Sequence, residues 1–177
     1  MKPSFSLVIT EGLQKPAACL TRAGFLILFL TAAFFSDAQG AKLPPFKMIR
    51  DNGTIFNATQ LPMGKPIVLI YFSPGCGHCE QLMRNVLKQE NALTRTSVVL
   101  ITYQPVQEVI GFVQQFHLQS HLNFYVGTER NSFLVRGYYH LEKLPFIALF
   151  TKKGDLVCKY NSEKDWNLLL KQLKKLQ

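Results

Sequence analysis

The chain has few cysteines, few acidic side chains and no long uninterrupted apolar segment. Of its 177 residues only four are cysteine, and the three beyond residue 40 are too few for a scaffold held together by disulfide bonds. The apolar run at residues 23–35 has 13 residues, whereas a membrane-spanning helix needs about 20. The chain has no internal repeat and no low-complexity tract, which argues against a repeat architecture.

Acidic residues are outnumbered: 11 Asp and Glu face 20 Lys and Arg, and the net charge is +9. Such an excess is compatible with binding to nucleic acid or to an anionic membrane, but the lysines are scattered along the chain. The densest cluster, Lys171, Lys174 and Lys175, falls in the last turns of a predicted helix, where cations complement the helix dipole. We therefore interpret the charge as a solvated basic surface and predict no nucleic-acid partner.

Residues 1–40 have the composition of an export leader. Lys2, Lys15 and Arg22 precede the apolar run 23–35, and Ala38-Gln39-Gly40 then offers small residues for cleavage before residue 41. We predict a cleaved signal peptide and a mature protein in the periplasm or cell envelope. An uncleaved membrane anchor through 23–35 is the alternative. The C-terminus is not an endoplasmic-reticulum retention signal, which favours a bacterial envelope.

Residues 41–177 alternate predicted strands and helices and contain enough apolar residues for one domain with a core. The predicted strands are 46–50, 54–56, 67–72, 97–102, 123–126, 146–151 and 156–160; the predicted helices are 77–89, one starting at Pro105, 129–136, and one capped by Ser162. Strands alternating with helices imply a parallel sheet, which the closing hairpin would make mixed. We predict an α/β fold whose central mixed sheet is flanked by helices and preceded by an N-terminal β-hairpin.

The sequence Cys76-Gly77-His78-Cys79 lies where the buried strand 67–72 passes into a helix. Unpaired N–H groups and the positive end of the helix dipole favour a thiolate at Cys76, and the thiolate is the nucleophile in disulfide exchange. Cys79, one turn further on, can reach the Cys76 sulfur. A protonated or donating His78 would stabilise the Cys76 thiolate further and make the disulfide a better oxidant. This spacing predicts attack by Cys76 and resolution by Cys79, with no cofactor.

Two other roles for the cysteines are considered. A single C-x-x-C motif is half of a structural zinc site, which requires four ligands, so a non-catalytic copper- or zinc-binding module is the alternative function. We predict no metal, because the strand–turn–helix context favours redox chemistry. A purely structural disulfide is disfavoured, since so small a loop restrains little of the unfolded chain.

Residues 72–80 (FSPGCGHCE) resemble the active site of the thioredoxin superfamily, and the C-G-H-C core is the one found in protein disulfide isomerase domains. Leu144-Pro145 before a strand resembles the cis-proline loop of that family. The N-terminal hairpin and exported context are most similar to the periplasmic branch that includes TlpA and ResA. The resemblance implies a thiol–disulfide oxidoreductase in which Cys76 attacks, Cys79 resolves, and Gly77 and His78 tune the pair. It also implies a cis Pro145, a Leu144 backbone that pairs with the substrate, and protein thiols with an upstream redox protein as partners.

The sequence departs from the family at two positions. Gly75 stands where many relatives have tryptophan, and Ile70 stands where many thioredoxins have a buried carboxylate that assists proton transfer from the resolving thiol. Glu80 is a possible substitute, although a solvated first-turn glutamate favouring the helix N-terminus is the simpler interpretation.

Two further features have ordinary structural interpretations as well. Tyr138, Tyr139 and His140 either line a substrate groove or cover the edge of the sheet. Cys158, in the last predicted strand, is expected to behave as a small buried hydrophobic residue.

Overall fold

The computed structural model describes residues 41–177, so the predicted leader at 1–40 lies outside the described residues. The strands are β1 (Lys47–Arg50), β2 (Ile55–Asn57), β3 (Ile67–Tyr71), β4 (Ser97–Thr102), β5 (Phe124–Thr128), β6 (Phe146–Phe150) and β7 (Leu156–Tyr160). The helices are α1 (Gly77–Leu87), α2 (Val106–Gln115), α3 (Leu134–Tyr138) and α4 (Trp166–Leu173). Within residues 41–177 no helix has the length and apolar content needed to cross a membrane.

The seven strands form one mixed sheet in the order β2-β1-β5-β4-β3-β6-β7. Strands β3, β4 and β5 run parallel, whereas β6 lies antiparallel to β3, and β7 and the N-terminal hairpin β1–β2 complete the edges. Every residue of β3, β4 and β6 is buried. Burial on both faces explains why these strands are continuous apolar runs rather than alternating ones. The predicted mixed sheet and N-terminal hairpin are confirmed.

The two faces of the sheet carry separate cores, and successive residues of β3 alternate between them. Val68 and Ile70 pack under α1, α2 and α4, whereas Leu69 and Tyr71 pack on the other face with the N-terminal hairpin and α3. The predicted apolar stripe of the last helix is fully buried against the first core; it consists of Trp166, Leu169, Leu170 and Leu173. Each such side chain contributes about 1.5–3 kcal/mol on burial, so both faces stabilise the sheet that positions the ends of β3 and β6.

The prediction of a continuous helix over 129–136 is wrong. Arg130 and Phe133 adopt positive φ angles of 49° and 43°, which break the segment into a 3-10 turn, Arg130–Ser132, and the short helix α3. Glu129 is only 5% exposed, and its carboxylate accepts hydrogen bonds from the Tyr71 hydroxyl at 2.7 Å and the Val135 N–H at 2.8 Å. The carboxylate therefore caps α3 from outside the helix and ties it to β3.

Replacing Glu129 with alanine is expected to lower the free energy of unfolding by about 2–4 kcal/mol, because a buried hydroxyl and buried N–H groups lose their acceptor. Urea denaturation followed by circular dichroism measures the loss. Tyr71→Phe is the matched control, since it removes only one of these hydrogen bonds and should cost about 1–2 kcal/mol. Equal losses for the two variants would contradict a role for Glu129 as the cap of α3.

Candidate active site

The turn between β3 and α1 is held by backbone hydrogen bonds. The Phe72 N–H donates to the Ile101 carbonyl at 3.0 Å, and the Cys76 N–H donates to the Ser73 carbonyl at 3.2 Å. Gly75 has φ +75°, a left-handed conformation that glycine adopts without strain. The absence of a side chain at position 75 therefore has a local reason: this tight turn requires a backbone conformation that tryptophan rarely adopts.

Cys76 occupies the N-cap of α1, as predicted. Its backbone is extended (φ −81°, ψ 112°), and its carbonyl accepts the first helical hydrogen bond from the Glu80 N–H at 3.0 Å. No side-chain hydrogen bond caps this end of the helix. The Cys76 thiol is free and half-buried, and the first-turn N–H groups of α1 have no partner within the helix. The Cys76 sulfur thus lies where a helix end stabilises negative charge.

Cys79 is the buried member of the pair, with a relative exposure of 2%. Burial is the largest cause that raises the pKa of the Cys79 thiol, and a hydrogen bond with Cys76 raises it further. A hydrogen bond from the Ser73 backbone acts in the opposite direction and is weaker than these two effects. Cys79 is consequently a neutral thiol at pH 7, held beside a more accessible partner.

The raised pKa of Cys79 predicts that the reduced protein loses stability in mild alkali. Between about pH 9 and 10.5 the unfolded chain has lost the Cys79 proton while the folded protein keeps it, so Cys79 should destabilise the fold by about 1.4 kcal/mol per pH unit. Urea denaturation of the reduced protein across this range measures the slope. Reduced Cys79→Ala is the control, because it lacks the Cys79 thiol and keeps Cys158 and every tyrosine. If the free energy of unfolding fell equally steeply with pH in both proteins, the loss of stability would not come from Cys79.

The contact that the structure shows for His78 is with an acidic residue from the other end of the chain. The exposed imidazole Nδ1 lies 3.2 Å from Glu163 Oε1, in the 3-10 turn Glu163–Asp165 that precedes α4. A backbone hydrogen bond and the His78 imidazole lower the pKa of Glu163. Ser162, predicted to cap the last helix, caps this 3-10 turn instead: its hydroxyl accepts from the Lys164 N–H at 3.2 Å, and Asp165 is the N-cap of α4.

Sequence reasoning missed Glu163, which lies 85 residues from His78 in the chain. Its negative charge is one of the causes that raise the pKa of Cys79. Glu80 instead pairs with Arg84 on α1, at 3.5 Å, in agreement with its interpretation as a first-turn residue. Ile70 is buried in the core and supplies no carboxylate, whereas the Glu163 carboxylate acts electrostatically on Cys79 from outside α1.

Leu144 and Pro145 lie at the same end of the sheet as the cysteines. The first residue of β6, Phe146, pairs with Tyr71 at the end of β3, so the two loops leave the sheet side by side. The Leu144–Pro145 peptide bond is cis, as the resemblance implied. Leu144 packs against the same core as Cys76, and it lines an open depression together with His78.

No protein-family model and no curated protein sequence matches the chain. Solved structures do match. A secreted Mycobacterium tuberculosis disulfide oxidoreductase homologous to E. coli DsbE is 20% identical, with 75% of this chain and 96% of that chain covered and a TM-score of 0.60. The thioredoxin domain of a thiol-disulfide oxidoreductase from Bacteroides vulgatus is 19% identical, covering 78% and 99%, with a TM-score of 0.62. A thiol-disulfide oxidoreductase from Bacteroides fragilis is 12% identical, covering 75% and 99%, with a TM-score of 0.61. The chain has the thioredoxin fold.

The other residues singled out in the sequence, Cys158 and Tyr138 to His140, lie in different parts of this thioredoxin fold. Cys158 lies in β7, half-buried against the core under α4, and burial raises the pKa of its thiol. Tyr139 and His140 line a second depression near Leu144, whereas the exposed Tyr138 donates from its hydroxyl to the Lys42 carbonyl at 3.3 Å. Among residues 41–177, no three His, Cys, Asp or Glu side chains are grouped closely enough to hold a metal ion.

Proposed function

We propose that this chain is a thiol–disulfide oxidoreductase that exchanges disulfides with exported proteins through Cys76 and Cys79. The observation that carries the proposal is the arrangement of the two thiols. Cys76 is half-buried at the N-cap of α1, and Cys79 is buried beside it with a raised pKa. Such a pair separates an accessible nucleophile from a protected resolving thiol. The oxidoreductases named above have the same fold and support this assignment.

The reaction has two steps. The Cys76 thiolate attacks one sulfur of a substrate disulfide, forms a mixed disulfide, and releases the second substrate sulfur as a thiolate. Cys79 then gives its proton to the departing group and attacks the Cys76 sulfur, so that the Cys76–Cys79 disulfide forms as the bond between Cys76 and the substrate breaks. The protein pair loses two electrons and the substrate gains them. Run in reverse, the pair oxidises a substrate dithiol, and an upstream redox protein restores the starting state.

Leu144 and Pro145 are proposed to hold the substrate chain beside Cys76, with the Leu144 backbone pairing with it. Their place beside the β3–α1 turn supports this role. Gly77 and His78 are proposed to tune the pair. We also propose export to the periplasm or cell envelope through residues 1–40, and membership of the TlpA- and ResA-like branch. The N-terminal hairpin and the secreted Mycobacterium tuberculosis protein of the same fold support these two assignments.

A redox titration combined with metal analysis tests the proposal. The purified protein is equilibrated with glutathione buffers of graded ratio, and the oxidation state of Cys76 and Cys79 is read by alkylation and mass spectrometry. We expect a reversible two-electron couple and no stoichiometric metal. Tight retention of copper or zinc without disulfide exchange would instead establish the metal-binding alternative.

A further inference from the structure

Two surface depressions meet beside the Leu144–Pro145 loop. One has a volume of about 380 Å³ and is lined by His78, Leu144 and Glu163; the other has a volume of about 290 Å³ and is lined by Tyr139 and His140. Lys143 and Asn161 belong to both linings, so the two depressions are direct neighbours, and the one lined by His78 lies beside α1. We name the two depressions together the Lys143 groove.

The Lys143 groove carries an excess of positive charge. Lys143 lines both depressions, and Lys164 lines the one beside His78. Lys159 lines the one beside Tyr139, and the Lys159 ammonium group lies 5.9 Å from the centre of the Tyr139 ring. None of these three lysines forms an ion pair with a carboxylate of residues 41–177. The groove has two carboxylates, Glu142 and Glu163, and Glu163 lies within hydrogen-bond distance of His78. Three lysines without an ion pair therefore face two carboxylates.

We infer that the Lys143 groove binds an acidic segment of the substrate polypeptide, so that cysteines flanked by aspartate or glutamate are the preferred partners of Cys76. The inference rests on the proposed function and specifies the substrate class of the same site. A substrate chain held at Leu144 places the residues next to its cysteine along the groove, since an extended chain advances about 3.3 Å per residue. Carboxylates there meet the unpaired ammonium groups, which accelerates encounter with the thiol at low salt.

The structure supplies a matched control for this charge effect. Lys65, Arg95 and Lys152 line another depression, of about 280 Å³, at the opposite end of the sheet: Lys65 precedes β3, whereas Cys76 follows it. Converting either set of three to glutamine removes the same charge. The groove variant is Lys143→Gln/Lys159→Gln/Lys164→Gln, and the control variant is Lys65→Gln/Arg95→Gln/Lys152→Gln.

The experiment measures how fast the reduced full-length protein reacts with short peptides whose single cysteine carries a fluorescent thiol in disulfide linkage. One peptide series has two aspartates on the N-terminal side of the cysteine, a second has them on the C-terminal side, and serine versions are the reference. In one of the two series, the one whose aspartates lie along the groove, we expect the acidic peptide to react about tenfold faster than the serine peptide at low ionic strength. This rate advantage should shrink in 0.5 M salt. The rate ratio should fall to about twofold or less in the groove variant and stay near tenfold in the control variant.

Each outcome separates the inference from the proposed function. Equal rates for acidic and serine peptides in both series would overturn the inference and leave disulfide exchange intact. The same fall in ratio for both triple variants would also overturn it, because net charge rather than the groove would then set the preference. If the reduced protein reacted with none of the peptides, the result would contradict the proposed function itself.

Discussion

Cys76→Ser is expected to abolish disulfide exchange, lowering its rate by at least about 1,000-fold. The serine hydroxyl cannot form a disulfide with the substrate, and Cys79 cannot substitute for it. Cys79 is buried to 2% exposure, and burial raises the pKa of its thiol, so at neutral pH it is neither accessible nor ionised. A turbidity assay of insulin reduction, with dithiothreitol as the electron source, measures the loss.

Cys158→Ser is the matched control for Cys76→Ser. Cys158 is a second half-buried thiol, but it lies in β7 against the core under α4. Its replacement should leave the insulin assay at the wild-type rate. Substantial exchange by Cys76→Ser, or its loss in Cys158→Ser, would place the nucleophile at a different sulfur. Circular dichroism of both variants establishes that the fold is retained.

Cys79→Ser is expected to convert the protein into a trap for its substrates. The first step needs only Cys76, so the mixed disulfide still forms, whereas its release then depends on external thiols. A resolving group one helical turn away has a far higher effective concentration than millimolar thiol, so turnover should fall by at least about 100-fold. Non-reducing electrophoresis of the variant incubated with an oxidised substrate measures the adduct. Dithiothreitol should reduce the mixed disulfide and release the substrate.

The double variant Cys76→Ser/Cys79→Ser controls for adducts made by Cys158, which it retains. We expect it to form none. A Cys79→Ser protein that turns over at the wild-type rate, or whose adduct persists in the double variant, would contradict the two-step mechanism. Adducts recovered from cells would further show whether acidic residues flank the captured cysteines, as the charge of the Lys143 groove predicts.

Local sequence patterns predicted most of the fold. The runs 67–72 and 97–102 are rich in β-branched and other apolar residues, and they form the buried strands β3 and β4 with boundaries within one residue of those predicted. Asp51-Asn52-Gly53, a hairpin-type turn sequence, lies between the two predicted strands 46–50 and 54–56, and Gly53 has a φ of +77° in the hairpin that forms there. These features succeed because each depends on residues that are close together in the chain.

The helix predicted over 129–136 is wrong because its structure depends on a contact between residues that are far apart in the chain. Its composition suits a helix, but Glu129 leaves the helix to accept a hydrogen bond from the Tyr71 hydroxyl, 58 residues earlier in the chain. Burial of that carboxylate among donors from β3 and α3 outweighs its local helical preference. Nothing in the composition of 129–136 reports on the position of Tyr71.

The sequence by itself determined where the Cys76 thiol lies, because a strand, a tight turn and a helix in succession place it at a helix N-terminus. Only the tertiary structure decided what surrounds that thiol. The Glu163 carboxylate reaches His78, and Lys143 and Lys164 line the same depression as Leu144, because β6 lies next to β3 and brings the C-terminal part of the chain to the end of the sheet that carries Cys76. Charge effects depend on distance in space, and hydrophobic periodicity carries no information about such distances.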